Sequence, residues 1–367
     1  MTNLPNTSPI RLCVMQGDGI GPEITAATLD VLRAAAAKWG IEFAFDQVEI
    51  GLKPLSLKGT TFPEPSFAAA KDADGVILGP VSHNDYPPAD RGGINPSGAL
   101  RKRLDLFANI RPARTRADFP PRCGKPVDLV IVRENTEGFY ADRNMFAGSG
   151  EFMPTPDVAL AVRKITRQAS LRIAEEAFRL AMQRPRKKVT VVHKANVLRI
   201  SDGLFLECTR AVAKRYPQVE CEERIMDAMA ALLVRDASQF DVIVATNAFG
   251  DILSDEASEI AGSLGLAASI NHGDEHGVAQ AQHGSAPDIE GQDKANPASL
   301  IGSTAMLLHW LGERRGNTSF TEAGALIERA LDRTIENPRW RTPDLGCTLG
   351  TKAFGEQVTK VAAELAR

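Results

Sequence analysis

The sequence predicts an α/β protein of two domains, and three observations carry that reading. Short apolar runs that end in turn residues alternate with stretches of helical spacing, the pattern of strands joined by crossover helices. The chain has 367 residues, and at roughly 100–200 residues per domain that length favours two domains over one or four. Its composition, 43% apolar and 24% charged, is that of an ordinary globular protein, which excludes wholesale disorder, a collagen-like fibre and a membrane bundle. No run approaches the ~18 apolar residues that a membrane helix needs.

Residues 1–9 lack a basic segment followed by an apolar one, so they are expected to fray and nothing in them marks the chain for export. Residues 11–16 form the first apolar run; Gly17-Asp18-Gly19-Ile20-Gly21-Pro22-Glu23 breaks it, and 24–38 carries helical spacing through Ile24, Ala27, Leu29, Val31 and Leu32. Pro22 suits a first helical turn. Further strands are expected at 75–79, 127–132, 188–192 and 241–245. The clearest helix spans 156–183, with Thr155 as its cap and a stripe through Leu160, Ile165, Ala169, Ile173, Ala177 and Phe178, and it ends at Arg184-Pro185-Arg186-Lys187-Lys188. Residues 140–154 have neither period and read as a long loop or a projecting hairpin. A last helix is expected through 300–311. No repeat of 20–50 residues is present, which excludes solenoids.

Charge narrows the partners. Forty-six acids against 43 bases leave a formal charge of −3, so no global positive field is available to hold nucleic acid, and the basic runs 101–103 and 184–188 lack interleaved aromatics. The five cysteines, Cys13, Cys123, Cys208, Cys221 and Cys347, include no C-x-x-C pair. Reduced thiols in a cytoplasmic protein are the expectation.

Several local motifs carry chemistry. The Gly17–Glu23 turn stands between a strand and a helix, where a dinucleotide fingerprint would count, but its third glycine position is Pro22 and Asp18 would bring a carboxylate to a pyrophosphate. A standard Rossmann site is therefore rejected. Arg101, Arg111 and Arg133 offer three guanidinium forks suited to a di- or tricarboxylic acid, although a solvated helix face accounts for Arg101 as well as a site does. Lys194 follows an apolar strand, placed either to snorkel to the surface or to act as a desolvated base. Tyr140, taken alone, reads as amphipathic packing. Asp251 and Asp255 stand at i and i+4 on one helical face, where their repulsion is relieved by a divalent cation or tolerated at an exposed helix start, and Asp227 could add a third carboxylate. All-oxygen ligation favours Mg²⁺ or Mn²⁺ over zinc. His283-Gly284-Ser285-Ala286-Pro287-Asp288 is a turn-rich loop leading to Asn296, and an acidic residue there would accept from ribose hydroxyls and repel a 2′-phosphate.

Together G-D-G-I-G-P-E, L-R-K-R-L-D-L-F-A-N-I-R-P, V-R-E-N-T-E-G-F-Y, H-K-A-N, N-A-F-G-D-I-L-S-D and H-G-S-A-P-D-I followed by A-N-P resemble, in identity and order, the β-decarboxylating dehydrogenases of the isocitrate/3-isopropylmalate dehydrogenase family. The resemblance spans about residues 10–355. It implies two α/β domains around a cleft, a cofactor domain of 1–107 plus 262–367 and a substrate and dimerisation domain of 108–261 with an intersubunit clasp at 140–154. It further implies that Arg101, Arg111 and Arg133 bind the malate carboxylates, with Asn95, Ser97 and Asn196 also at the substrate. Asp227, Asp251 and Asp255 would hold Mg²⁺ or Mn²⁺, Lys194 would be the base and Tyr140 the proton donor. Lys194 and Asp227 would act in the neighbouring subunit's site of a homodimer. His283, Gly284, Ser285, Ala286, Pro287, Asp288 and Asn296 would bind the cofactor, with Asp288 selecting NAD.

The substrate pocket is the least determined part. Isopropylmalate enzymes resemble one another in an apolar pair before the first arginine, whereas this chain has Asn95-Pro96-Ser97-Gly98-Ala99, a polar pair in the reverse order of the isocitrate enzymes. A polar or small γ-substituent, as in isocitrate, is favoured; 3-isopropylmalate, homoisocitrate, tartrate and D-malate are the alternatives. A reading from another class is a noncatalytic regulatory subunit, against which the complete set of site residues weighs.

Overall fold

The computed structural model describes residues 9–140, 142 and 144–366. Residues 1–8 of the expected frayed segment, and Ala141 and Arg143 of the 140–154 segment, lie outside the described residues. The strands expected from the sequence form within one or two residues of their predicted ends, and they fall into two compact units.

The first unit comprises Met1–Leu100, Ala268–Ile270 and His276–Arg367. Its strands are β1 (Ile10–Met15), β2 (Phe43–Val48), β3 (Gly75–Leu78) and β12 (Gly277–Gln280), hydrogen-bonded in the order β2-β1-β3-β12 and all parallel. Parallel strands need helical crossovers: α1 (Gly21–Ala36) joins β1 to β2, and α2 (Leu52–Lys58) with α3 (Glu64–Asp72) joins β2 to β3. After β3 comes α4 (Pro96–Arg103), which begins in this unit, and after the last strand come α9 (Ala298–Arg315), α10 (Thr318–Glu336) and α11 (Thr351–Ala366). Both faces of the sheet are covered, so β3 is buried along its whole length.

The second unit comprises Arg101–Ala267 and Asn271–Glu275. Its strands are β4 (Ala108–Arg114), β5 (Asp128–Glu134), β8 (Lys188–His193), β9 (Glu220–Ile225) and β10 (Val242–Ala245), in the order β4-β5-β10-β8-β9 with only β4 antiparallel. The helices are α5 (Arg167–Gln183), α6 (Ser201–Ala213), α7 (Met226–Asp236) and α8 (Asn247–Ala261). A core of Leu129, Ile131, Phe240, Ile243, Leu253 and Ala257 packs α8 on the sheet. The short strand β11 (Ile270–His272) is where the chain passes from one unit to the other.

Three expectations need correction. The long helix does not begin at 156: residues 151–161 form a hairpin of β6 (Glu151–Thr155) and β7 (Val158–Ala161), and α5 starts at Arg167 with the Thr166 hydroxyl accepting from Ala169 N at 3.2 Å. Leu160 and Ile165 only mimicked the helical stripe, while Ala169, Ile173, Ala177 and Phe178 are its buried face. The unclassified segment is thus a loop followed by a hairpin that runs beyond 154. The units also divide at Leu100/Arg101 and Ala267/Ala268 rather than 107/108 and 261/262. Asp105 pairs with Arg172 at 2.6 Å, Phe107 lies 4.5 Å from the same guanidinium, and Arg116 donates to the Leu266 carbonyl, which keeps both stretches with the second unit.

The basic run at 184–188 is consumed by structure. Arg184 pairs with buried Asp241 at 2.5 Å and Arg186 donates to the Ser238 carbonyl at 2.7 Å. All five cysteines are free thiols, and burial pushes Cys13 up to about 12. Among the described residues, no helix is long and apolar enough to cross a membrane.

Candidate active site

In the second unit β5, β10, β8 and β9 run parallel, so their C-terminal ends share one edge, where α/β sheets place ligands. Arg133 is the last residue but one of β5, Asn247 follows β10, Lys194 follows β8 and Asp227 follows β9. Arg111 lies on neighbouring β4, opposite Ile131.

Arg133 is 1% exposed, a charge that only close partners can make tolerable. Its Nε and Nη2 donate to Asn247 Oδ1 at 3.0 and 2.7 Å, Nη2 also reaches Tyr140 Oη at 2.6 Å, and Nη1 pairs with Asp251. This approach requires Gly250, since a Cβ there would stand 2.7 Å from the Arg133 Cβ and Cγ. Arg111, also buried, donates through Nε to Asn109 Oδ1 at 3.1 Å. Its Nη1 meets Ser254 Oγ at 2.8 Å, Asp251 Oδ1 at 3.1 Å and Asp255 Oδ1 at 3.4 Å. Tyr140 Oη donates to Asp251 Oδ2 at 2.6 Å.

The electrostatics follow from this packing. Burial alone would raise the Asp251 carboxyl, but Arg133, then Arg111, the Tyr140 hydrogen bond and Arg101 overcome it and hold Asp251 below the ordinary carboxylate range. Burial, and next the charge of Arg133, bring Arg111 down to about 10, so it stays cationic at neutral pH. Tyr140 is pushed up by burial and by Asp251, against Arg133; its phenol is a proton donor at neutral pH. Arg101, half-buried in the last turn of α4, contributes its field to both Asp251 and Tyr140.

Lys194 and Asp227 form a separate group. The Lys194 ammonium pairs with the Asp227 carboxylate, whose pKa is lowered chiefly by that hydrogen bond. The Lys194 backbone N–H donates to Asp202 Oδ2 at 2.5 Å, and Asn196 is exposed on the same turn. Within one chain Arg111, Arg133, Tyr140, Asp251 and Asp255 therefore come together and Lys194 with Asp227 come together. No three acidic, histidine or cysteine side chains among the described residues gather closely enough to hold a metal. The donor set fits a hard cation in chemistry: Asp251 is held ionised, and it stands with Asp255 one turn apart on α8, oxygen ligands only. The two aspartates occupy the second and third turns of α8, so the exposed helix-start alternative fails.

The first unit holds the remaining expected residues. Asp18 turns inward: its Oδ1 accepts from Leu52 N at 2.7 Å, and its Oδ2 accepts from Ser82 N at 2.9 Å and Tyr86 Oη at 2.5 Å. The carboxylate that spoiled a pyrophosphate turn is thus a latch for three segments. Gly19 adopts φ +56°, and a Cβ there would meet the Ser285 carbonyl at 2.1 Å. Ile20 N donates to that carbonyl at 2.9 Å, fixing the glycine turn against the 283–288 loop. Burial lowers the pKa of His283, whose Nδ1 lies 2.9 Å from the Gly284 carbonyl while its buried Nε2 has no hydrogen-bond partner among the described residues. Nδ1–H donation to that carbonyl leaves Nε2 as an unfilled acceptor. Asp288 is exposed beyond Ser285, Ala286 and Pro287. Asn296 is internally engaged, its Oδ1 accepting from Ala298 N at 2.9 Å and its Nδ2 donating to Asp344 at 3.0 Å. Asn95 Oδ1 accepts from Gly98 N at 3.3 Å at the start of α4, and buried Ser97 donates to Gln280 Oε1 at 3.0 Å.

Sequence reasoning missed Asn109, Asn247, Asp202 and Gln280. Asn109 was available, since it stands two residues before Arg111 and hence on the same face of a strand. Asn247 opens the helix that carries the paired aspartates. Asp202 and Gln280 offered no local signal.

Comparison with known proteins accords with this geometry. Residues 11–358 match the isocitrate/isopropylmalate dehydrogenase family model. The chain is 42% identical to an isocitrate/homoisocitrate dehydrogenase of Thermus thermophilus, covering 97% of this chain and 99% of that one. It is 40% identical to a homoisocitrate dehydrogenase of Methanocaldococcus jannaschii, covering 95% and 96%. A 3-isopropylmalate dehydrogenase of Sulfurisphaera tokodaii is 39% identical, with 91% of this chain and 94% of that one covered. The crystal structure of isocitrate dehydrogenase from Methylococcus capsulatus superimposes with a TM-score of 0.85 at 37% identity, covering 96% of this chain and 99% of that one.

Proposed function

The chain belongs to the isocitrate/isopropylmalate dehydrogenase family, enzymes that oxidise a CH–OH group of a hydroxy acid with decarboxylation, and from that premise we propose an NAD-linked, Mg²⁺- or Mn²⁺-dependent enzyme acting on a substituted (R)-malate with a polar or small γ-group. The cluster of buried Arg111 and Arg133 around ionised Asp251 and protonated Tyr140 is the observation that carries this reading. Two guanidinium forks at one strand edge, with Arg101 beside them, bind and orient a diacid bidentately. The bound divalent cation would supply Lewis-acid polarisation, and the nicotinamide would supply the hydride acceptor. Lys194 Nζ, as the neutral amine released from its pairing with Asp227, takes the proton of the substrate hydroxyl, and Tyr140 Oη returns a proton to the carbon that loses its carboxylate. Asp251, Asp255 and Asp227 are the metal ligands of this reading.

Lys194 and Asp227 stand together and apart from Asp251, which supports a homodimer in which each chain lends both to its partner's site. The surrounding surface is apolar: Val197, Ile200, Val234 and Ile252 are 60% or more exposed, on the segments that bear Lys194, Asp227 and Asp251. On the β6–β7 hairpin, Phe152, Met153, Val158 and Leu160 are exposed as well and would form the clasp between subunits.

In the first unit, the unfilled Nε2 of His283 suits a donor such as an exocyclic amine of a nucleotide base, and exposed Asp288 suits the hydroxyls of an unphosphorylated ribose. Asn95 and Ser97 favour isocitrate or homoisocitrate over 3-isopropylmalate, because the start of α4 offers hydroxyl and amide groups where an isopropyl group needs an apolar wall. A cytoplasmic location accords with the unpaired cysteines. A noncatalytic regulatory role is disfavoured by the presence of Lys194, Tyr140 and all three aspartates.

The test is NADH formation by the purified protein with Mg²⁺, offered isocitrate, homoisocitrate, 3-isopropylmalate, D-malate and tartrate separately. Preference for isocitrate or homoisocitrate supports the polar-pocket reading and preference for 3-isopropylmalate refutes it. Absence of turnover with every acid, with NAD still bound, would favour the regulatory subunit.

A further inference from the structure

Arg163 lies just past the clasp hairpin in a stretch that carried no motif, yet its side chain is only 7% exposed and that of its ion-pair partner Asp202 is 0% exposed. Arg163 Nη1 donates to Asp202 Oδ1 at 2.5 Å and to Ser201 Oγ at 3.0 Å, and Nη2 donates to Thr246 Oγ1 at 3.1 Å. The guanidinium carbon stands 5.3 Å from the Phe139 ring centre and 5.4 Å from that of Phe249. Each contact falls beside a residue of the reaction. Phe139 precedes Tyr140, Thr246 precedes the Asn247 that holds Arg133, Phe249 is two residues before Asp251, and the other oxygen of Asp202 accepts from Lys194 N at 2.5 Å.

We propose that Arg163 is a positioning residue of the reaction, a strut that fixes the Lys194 turn, through Asp202, to the segments bearing Tyr140 and Asp251. The inference rests on the reading of Lys194 as the base. A role in folding alone would be met by pairing Asp202 with any cation; here the planar fork donates to two segments at once, 201–202 and 246, and its carbon lies near two aromatic rings. A lysine ammonium can answer Asp202 but cannot also present the fork that reaches Ser201 and Thr246. If each chain lends Lys194 to its partner while keeping Tyr140 and Asp251, the strut also ties together the two reaction centres of the dimer.

The test compares wild type, Arg163→Gln, Arg163→Lys and Lys194→Met as dimers with Mg²⁺ and NAD. The probe is the acid oxidised fastest in the panel above, unlabelled and deuterated at its carbinol carbon. Misplacing a base by about 1 Å costs on the order of 100-fold, so Arg163→Gln is expected to lower kcat roughly 10- to 100-fold. The KM for NAD is expected to stay unchanged, and the deuterium isotope effect to rise. Arg163→Lys should fall between the two. If Arg163→Gln does not fold, Arg163→Lys carries the same readouts. A kcat within about twofold of wild type, or one that falls only with the folded fraction at an unchanged isotope effect, overturns the proposal. Lys194→Met keeps the two failures apart. Its inactivity beside undiminished Arg163 variants overturns the strut alone, whereas its full activity removes Lys194 as the base and the strut with it.

Discussion

The two units hold their expected site residues by different means. In the second, side chains hold side chains: Arg133 and Arg111 are fixed by Asn247, Asn109, Ser254 and Asp251, and the charge pattern depends on all of them at once. In the first, a backbone contact with no room to spare sits at the cofactor-side loop: residues 283–288 are pinned by Ile20 N on the Ser285 carbonyl, beside a Ser82–Ser285 hydroxyl hydrogen bond, at a place where only a glycine at 19 leaves room. The difference predicts where each region is fragile. The second should break when a charge is removed, and the first when a methyl group is added.

The largest effect is expected from Lys194→Met, which removes the proposed base: kcat should fall by about 10²–10⁴-fold, with NAD affinity retained by fluorescence titration. Undiminished turnover would move the base elsewhere. Next, Arg133→Met takes the nearest cation from Asp251, leaves Asn247 Oδ1 without its two donors and should cost about 1–3 kcal/mol of stability by denaturant titration. It should also change the response to acid. In wild type the depressed pKa of Asp251 gives stability that is present above the unfolded value, about 3.9, and is lost as pH falls through the folded one. Without Arg133 the carboxyl loses its largest lowering influence against burial, while Arg111, the Tyr140 hydrogen bond and Arg101 remain, so its depression is smaller and the acid transition should move to higher pH. An unchanged transition would mean that Arg133 is not what holds Asp251 ionised.

These two regions were also unequally legible in the sequence. Arg133 and Lys194 could be found because charged residues at the ends of apolar runs are conspicuous, and the parallel strands then bring those ends to one edge, while Asp251 and Asp255 showed as a pair at i and i+4 and Arg111 as a cation before a proline. What the sequence hid is what makes the charges affordable to bury. Asn247 looks like any helix-opening asparagine, and Asp202 lies far along the chain from Arg163, the residue it neutralises. Asp18 was misjudged in the same way, as a hazard to a phosphate, because its acceptors are spent on Leu52, Ser82 and Tyr86, each distant along the chain. The start of α5 went astray because Leu160 and Ile165 fell on the helical stripe by coincidence; Leu160 instead pairs with Phe152 in the hairpin, and the Gly138–Lys164 bridge keeps the chain beside Ile165 out of the helix.

Smaller effects should sharpen the contrast from the other side. Gly19→Ala places a methyl group against the Ser285 carbonyl and is expected to cost about 1–3 kcal/mol. The KM for NAD should rise while the kcat at saturating NAD stays near wild type; a fall in kcat alone would contradict the division of labour. Asp288→Lys should lower NAD efficiency by about tenfold, roughly 1.4 kcal/mol, and unchanged kinetics would remove Asp288 from the ribose site. The mildest effect is one of pH. Burial lowers the pKa of His283, so its acceptor nitrogen persists below the usual imidazole midpoint of about 6.5. The KM for NAD should stay flat down to that pH and rise only beneath it, and a rise centred at or above it would contradict the role given to Nε2.

The central claim, that each reaction centre draws Asp251 from one chain and Lys194 from the other, is tested most directly by mixing two inactive homodimers, Asp251→Asn and Lys194→Met, and letting the subunits exchange. A hybrid dimer would then contain one centre with both defects and one with neither. At equal amounts and random pairing, activity should return to about a quarter of wild type. If Lys194 serves its own chain instead, every centre in the hybrid carries one defect and no activity returns.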